Sequence, residues 1–418
     1  MKILWVKAGK LLPVDTGGKI RSYNILRQLA SGHEVTVLTF YKGLRDAGYE
    51  QEIGRFFPGA MTFHAAASDF HPVGRAIDYL RYLTSPAPYV VAKFRSLEVH
   101  RVLASRVMCG RFDVAVCDFV DAAVNFPPVL VTPTVLFQHN VESELWHRQA
   151  EVESSWPRKL VFKLEAAKMK RFETDVVRRF HHVIAVSETD RDLMSLTADR
   201  SRITVVPTGV DLQLYRPATG RQPPEPLVLF TGSMDWEANI DAMEYFCHEV
   251  WPRVLAMVPE ARFRIVGRTP DRRVQRLACG SVEVTGTVPS VVNHLAEAAV
   301  VVVPLRIGGG TRLKIYEAMA MGKAVVSTSI GAEGLDVHHG RDILLADDAP
   351  TFADGIVKLL RDQRLRLGYE TAAAEVAAQY DWSSIGRRFA QVLERVSADA
   401  GLRVGEPSQT RETEGGVW

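Results

Sequence analysis

A chain of 418 residues exceeds the size at which a single hydrophobic core keeps growing, so two domains are expected. Its 47% hydrophobic and 24% charged residues form a globular balance that excludes extended disorder over most of the length. A net charge of +2, from 51 basic against 49 acidic residues, excludes the global field that draws a protein onto nucleic acid.

The four cysteines, Cys109, Cys117, Cys247 and Cys279, show neither CxxC spacing nor a histidine cluster, and are expected to be reduced and mostly buried. Met1 to Val6 is too short for a secretory apolar segment and reads as a first strand. No run approaches the about 18 apolar residues that span a bilayer, so a cytoplasmic location is expected. Short apolar runs then alternate with helical patterns, which is what βαβ units and parallel sheets produce, and the fold class is α/β. The first-half strands are expected at Ile3–Val6, Val35–Phe40, Val114–Cys117, Val135–Phe137 and Val183–Val186. A helix carrying Ile25, Leu26, Leu29 and Ala30 on one face stops at Gly32.

In Pro13 to Arg21, paired glycines Gly17 and Gly18 follow the first strand and directly precede that helix, which makes a candidate anion site. The pattern is not GxGxxG, and the second strand ends in Thr39 and Phe40 rather than in a ribose-binding acid, which counts against a dehydrogenase. Tyr41 to Asp78 carries no interpretable pattern. His139, Asn140 and Glu142 follow a strand, where the ligand-facing loops of open α/β sheets lie.

Trp156 to His182 reads as a basic helix with Leu160, Val161, Leu164 and Met169 as its apolar positions. Such a helix is more often a solvated face than a membrane contact, and weak peripheral attachment to anionic membranes is the second reading. Asp190 and Asp192 resemble a metal-holding DxD pair, but after Ser187 and Glu188 they read as a helix cap and first turn, and no metal site is expected.

The Pro-rich stretch 211–226 reads as a linker between an N-terminal unit of 1–210 and a C-terminal unit of 227–380. The second unit has strand candidates at Leu227–Phe230, Arg262–Val266, Val282–Thr285, Val300–Val303, Ala324–Ser327 and Ile343–Leu345. Residues 381–397 read as a further helix, and 398–418 lack an apolar face and are expected to be disordered.

Val301 to Gly322 is the most informative segment: a buried strand, the glycines Gly308, Gly309 and Gly310, then a helix. That order lets the backbone approach a phosphate and aims free N–H groups at it, with Arg312 and Lys314 adding charge. Glu317 lies about two turns beyond Gly310, and a helical side chain leans back towards the loop. Two readings of Glu317 are open here. It accepts hydrogen bonds from sugar hydroxyls, or it is a structural partner of Arg312 or Lys314.

Together VIAVSETDRD, VVPTGVDLQLYRP, FRIVGR, VEVTGTV and PLRIGGGTRLKIYEAMAMGKAVVST resemble the group 1 glycosyltransferases, family 4 of the retaining nucleotide-sugar transferases, over residues 1 to 395. The last segment is the specific one. The resemblance implies the GT-B fold, two doubly wound Rossmann-like domains facing a cleft, with the final helix crossing back to the first domain. It also implies metal-independent transfer from a UDP-, GDP- or dTDP-sugar to an acceptor of unspecified chemistry. No further cofactor is implied.

Residue by residue, Glu317 becomes the ribose ligand, Gly308 to Thr311 the cradle for sugar and diphosphate, and Gly286 to Val288 the edge of the base site. Gly17 and Gly18 approach the diphosphate, and His139 faces the donor sugar. The chain departs from the family in two places. Gly309 stands where an acidic contact to the donor sugar is common, and Gly232 to Asp241 lacks the usual phosphate-binding Arg and Lys. Arg312, Lys314 or Arg268 are the available replacements. The alternative within catalysis is another GT-B enzyme, such as a nucleotide-sugar epimerase or a sugar phosphorylase, and the alternative from a different class is a catalytically silent sugar-nucleotide-binding or interaction protein.

Overall fold

A computed structural model describes residues 1–65, 79, 82, 84–107, 110–153, 155–217, 226–307 and 312–405. The first sheet contains β1 (Lys2–Ala8), β2 (Glu34–Lys42), β3 (Met61–Ala65), β4 (Val114–Asp118), β5 (Thr134–Phe137), β6 (His182–Ala185) and β7 (Ile203–Val205). Its order is β3-β2-β1-β4-β5-β6-β7, with every pairing parallel. The second sheet contains β8 (Leu227–Thr231), β9 (Arg262–Val266), β10 (Val282–Gly286), β11 (Val300–Val303), β12 (Ala324–Ser327) and β13 (Leu344–Leu345). Its order is β10-β9-β8-β11-β12-β13, again all parallel.

In both sheets the order reverses beside the first strand of the unit, and such a switch point opens a crevice at the carboxyl ends of the strands. Strands such as β4, β8 and β11 are buried at every residue because helices cover both faces. Strands β3 and β7 were not expected from the sequence. Both are sheet edges, and β3 is half-buried along its whole length, so neither carries a doubly apolar run.

The helices that matter for the cleft are α1 (Gly17–Ala30), α2 (Glu142–Val152), α3 (Trp156–Arg179), α4 (Glu188–Ser195), α5 (Leu313–Ala320) and α6 (Trp382–Gly405). Helix α6 runs past residue 397, and its Phe389 packs on Trp5 and Phe137 of the first unit at 5.7 and 4.9 Å between ring centroids. Phe389 is fully buried, a contribution of about 2–3 kcal/mol. Residues 406–418 lie outside the described residues.

In α4, Ser187 caps the helix by accepting from Asp190 N at 3.1 Å, and Asp192 pairs with Arg200. The cysteines are less uniformly buried than their spacing suggested, since Cys117 is buried, Cys247 intermediate and Cys279 exposed, while Cys109 lies outside the described residues.

Candidate functional site

The carboxyl ends of β1, β4 and β5 and the start of α1 enclose a cavity of about 430 Å³ lined by Lys7, Gly17, Gly18, Arg21, Asp118 and His139, among others. Lys7, next to last in β1, and Asp118, last in β4, meet because the two strands are neighbours in register. Lys7 Nζ lies 3.0 Å from Asp118 Oδ2, which also accepts from Trp5 Nε1 at 3.0 Å, while His139 Nε2 lies 2.9 Å from Asp118 Oδ1.

Burial alone would raise the Asp118 carboxyl, but the Lys7 ammonium and His139 hold it well below the usual carboxylate range. Burial pushes His139 down to about 4 despite Asp118, so the imidazole is neutral at pH 7. The 2.9 Å approach of Nε2 to the carboxylate favours the proton on Nε2 and an accepting Nδ1, although the two atoms are not aligned as a hydrogen bond. Gly18 makes room for this ring, since a Cβ there would sit 3.3 Å from His139 Nδ1.

The loop carrying His139 is held from below by Glu173 of α3. That buried carboxylate accepts from Gln138 Nε2, Glu142 N and Ser143 N at 2.9, 2.7 and 2.9 Å. It thereby caps α2 in place of a local side chain. Glu142 lines the same cavity, and burial with Asp121 and Glu173 nearby pushes it up to about 8.

Across the cleft, α1 and α5 meet at their N-termini: a Cβ on Gly17 would touch Leu313 Cδ1 at 3.5 Å. Thr16 makes no side-chain cap on α1, which leaves the first-turn N–H groups open to a ligand. Arg268 donates to Ser233 Oγ at 2.9 Å and reaches over to Asp15 Oδ2 at 3.1 Å, so it stands at the cleft mouth between the two units. A bidentate Arg148–Glu333 pair at 2.6 and 2.8 Å bridges the units further along.

In the second unit, the ends of β8, β9 and β10 run together along one edge. Gly267 has to be glycine, because its Cβ would lie 1.6 Å from Gly232 O, and Gly267 N in turn donates to Gly286 O at 3.3 Å. Gly286 turns the chain at φ +72°, and Val288 packs half-buried behind it.

Lys314 extends from α5 to this edge. Its Nζ is 3.2 Å from Asn239 Oδ1, 4.0 Å from the centroid of Phe230, and where a Cβ on Gly232 would be 2.7 Å away. A cation therefore does stand at the end of β8, although the local sequence Gly232 to Asp241 supplies none. Burial, followed by repulsion from Arg312, pushes Lys314 down to about 7 against the pull of Glu317. Arg312 occupies the cap position of α5 and feels Glu333 and Arg148.

Glu317 is half-buried rather than turned to open solvent, and burial raises its carboxyl while the nearby Tyr215 hydroxyl and Lys314 ammonium oppose that rise. Gly308, Gly309, Gly310 and Thr311 lie outside the described residues. The residues that sequence reasoning missed are Lys7, Asp118, Arg21 and Glu173. For Lys7 and Asp118 the available signal was a charge following an apolar strand run, in ILWVK and VAVCD.

Residues 20–214 match the "Glycosyltransferase Family 4" model and residues 225–362 the "Glycosyl transferases group 1" model, together most of the chain. A phosphatidyl-myo-inositol mannosyltransferase of Mycolicibacterium smegmatis is 30% identical over 249 residues, 55% of this chain. The chain spans 62% of that relative's length. Among solved structures, sucrose-phosphate synthase from Thermosynechococcus elongatus superposes with TM-score 0.70 at 17% identity, covering 96% of this chain and all of that one. Anabaena HepE in complex with UDP-glucose superposes with TM-score 0.63 at 16% identity, covering 94% of this chain and all of that one. At these identities the structures establish a shared GT-B fold.

Proposed function

The chain belongs to the group 1 glycosyltransferases, and on that premise we propose that it transfers a sugar from a nucleoside diphosphate sugar to an acceptor hydroxyl, without a metal and with retention of anomeric configuration. The observation that carries this reading is the meeting of two helix N-termini, α1 and α5, across one cleft that also holds the Lys314 ammonium and the neutral His139.

In the reaction the bond from the sugar anomeric carbon to the diphosphate oxygen breaks and the acceptor oxygen bonds to that carbon. The acceptor proton passes to the departing diphosphate. Negative charge grows on the leaving group, and the helix termini, with Lys314, Arg312 and Arg268, stabilise it where a divalent metal would otherwise act. Glu317 accepts from the nucleotide ribose, Gly286 and Val288 border the base, and Gly308, Gly309, Gly310 and Thr311 bind sugar and diphosphate. His139 is the catalytic side chain on the acceptor side: the Asp118 carboxylate 2.9 Å from Nε2 favours the proton there, so that Nδ1 accepts from a donor-sugar hydroxyl.

A panel of UDP-, GDP- and dTDP-sugars, followed by melting temperature and by release of the nucleoside diphosphate, tests the reading with and without EDTA. One donor is expected to raise the melting temperature with concentration and to be turned over equally in EDTA. Turnover abolished by EDTA and restored by Mg or Mn would overturn the metal-independent mechanism. Stabilisation without turnover in any acceptor mixture would leave a binding protein.

The acceptor side carries a surface suited to an anionic membrane. Trp156, Leu160 and Leu164 recur every fourth residue of α3 and are 78%, 62% and 40% exposed, with Arg158, Lys163, Lys170 and Arg171 exposed around them. Met169, grouped with them by the sequence pattern, is instead fully buried. No helix among the described residues is long and apolar enough to cross a membrane. With so short an apolar row, flotation with anionic liposomes is expected at low salt and lost at high salt, and Trp156→Ser is expected to weaken it. Attachment that persists at high salt would show that the apolar term dominates.

A further inference from the structure

The cavity at the carboxyl ends of β1, β4 and β5 is polar almost all round, with Lys7, Arg21, Asp118, His139 and Asn140 in its wall beside glycines and Ala8. Among its lining residues Phe119 alone brings an apolar side chain larger than a methyl group. Its place there is strained. Phe119 sits at φ 75° and ψ 156°, a conformation open to glycine and rarely taken by a residue with a side chain. Thr269 is the one other non-glycine residue with positive φ among those described.

Two contacts hold this turn. Phe119 N donates to Phe137 O at 2.9 Å, and the Cys117 thiol donates to Phe119 O at 3.3 Å. The chain therefore leaves β4 sharply, into the short 3-10 turn Val120–Asn125, and the half-buried ring is set 5.1 Å from the His139 imidazole with 36° between the planes. Glycine would make the same turn without strain, so the strain is the cost of keeping an aromatic ring in a polar cavity.

Asp121, on that turn, and Glu142, at the start of α2, line the same cavity. Burial pushes Asp121 up to about 6 against the pull of Lys93 and Lys7, while burial with Asp121 and Glu173 nearby pushes Glu142 to about 8. At pH 7 the first is mostly ionised and accepts hydrogen bonds, and the second is mostly protonated and donates one. Hydroxyl groups match both. Phe119 adds an electron-rich ring face, which suits C–H bonds carrying a slight positive charge. All three residues follow β4 and β5, whereas the diphosphate contacts come from α1 and the second unit.

We propose that this side of the cavity is the acceptor subsite for a hydroxylated six-membered ring, a pyranose or a cyclitol, that lays its C–H face on Phe119 and gives its hydroxyls to Asp121 and Glu142. Phe119 is then a specificity-determining residue for the acceptor. An open-chain polyol offers the hydroxyls without the flat C–H face. The proposal rests on the chain being a transferase that takes its donor from the second unit.

The test is release of nucleoside diphosphate by the full chain from the sugar nucleotide that stabilises it most. The added acceptors are the methyl pyranosides of glucose, mannose and galactose, myo-inositol, and the hexitols sorbitol and mannitol. At least one ring compound is expected to accelerate release where the hexitols do not, and pyranoside against inositol tells the two sources apart. Phe119→Leu keeps an apolar side chain and the same backbone demand but removes the aromatic face. It is expected to raise KM for the ring acceptor about threefold to tenfold, with kcat and nucleoside diphosphate affinity unchanged, and Phe119→Tyr to restore it. Asp121→Asn leaves the ring in place and should raise the same KM.

No preference for rings over hexitols, in a protein that binds its donor, would overturn the proposal and leave the donor reading intact. A wild-type KM in both Phe119→Leu and Asp121→Asn would overturn it as well. If Phe119→Leu slowed release equally with every acceptor, water included, the ring would act only through His139, which also overturns it. Failure of every sugar nucleotide and nucleoside diphosphate to bind the wild-type chain would remove the donor reading itself, and the proposal with it.

Discussion

Lys314→Met is expected to weaken binding of the nucleotide-sugar donor about tenfold to a hundredfold while leaving the fold intact. An ammonium on a diphosphate makes charge-assisted hydrogen bonds worth about 1.5 to 3 kcal/mol, and methionine keeps the length without the charge. The pH dependence is the sharper signature. In the free protein burial and Arg312 push Lys314 down to about 7, whereas a bound diphosphate restores its charge.

Donor binding is therefore coupled to proton uptake, and affinity should fall by up to about tenfold per pH unit above pH 7 until the bound-state value is reached. Lys314→Met should be weak and flat over the same range. Stability moves the other way. Because the unfolded chain binds this proton up to the ordinary value of 10.5 and the folded one only to about 7, wild-type stability rises with pH between them. The variant should thus out-melt the wild type most clearly below pH 7. Donor titrations at pH 6.5, 7.5 and 8.5 decide the matter, and a wild-type affinity that stays level across them would remove Lys314 from the diphosphate site.

Glu317→Gln is expected to lower donor affinity about tenfold or more, through loss of charge-assisted bonds from ribose hydroxyls, without lowering the melting temperature. Burial raises Glu317 above its ordinary value of 4.5, opposed by the nearby Tyr215 hydroxyl and by Lys314. The folded state then binds more protons than the unfolded between 4.5 and that raised value. Stability is consequently lost as pH climbs through the window, and removing the charge is neutral or stabilising at pH 7. If Glu317 were instead a structural partner of its neighbours, glutamine would lower the melting temperature and leave affinity nearly intact. Titration with the donor and a thermal melt of the same variant separate the two.

Local chemistry within about ten residues determined a good deal of this protein. Runs such as Val300–Val303 and Val114–Cys117 are apolar on both faces, which only a covered parallel strand accommodates, and glycines set between a strand and a helix mark Gly17–Gly18 as a helix start. Those features made two doubly wound units and the turn before α1 legible, and the match of VVVPLRIGGGTRLKIYEAMAMG to a family pattern marked α5 as the helix proposed to hold the donor.

What the sequence did not determine depends on which strands become neighbours. Lys7 and Asp118 pair only because β1 lies beside β4. Lys314 serves the end of β8 only because Gly232 leaves the space into which its ammonium extends from another element. Tyr316 of α5 stacks on Tyr380, 64 residues further along, only because the chain returns past that helix after the second unit is built. Edge strands β3 and β7 escaped notice for a related reason, since a half-covered strand needs no apolar run to declare itself. Contacts between residues far apart in the chain are fixed by sheet order and packing, and no local pattern encodes them.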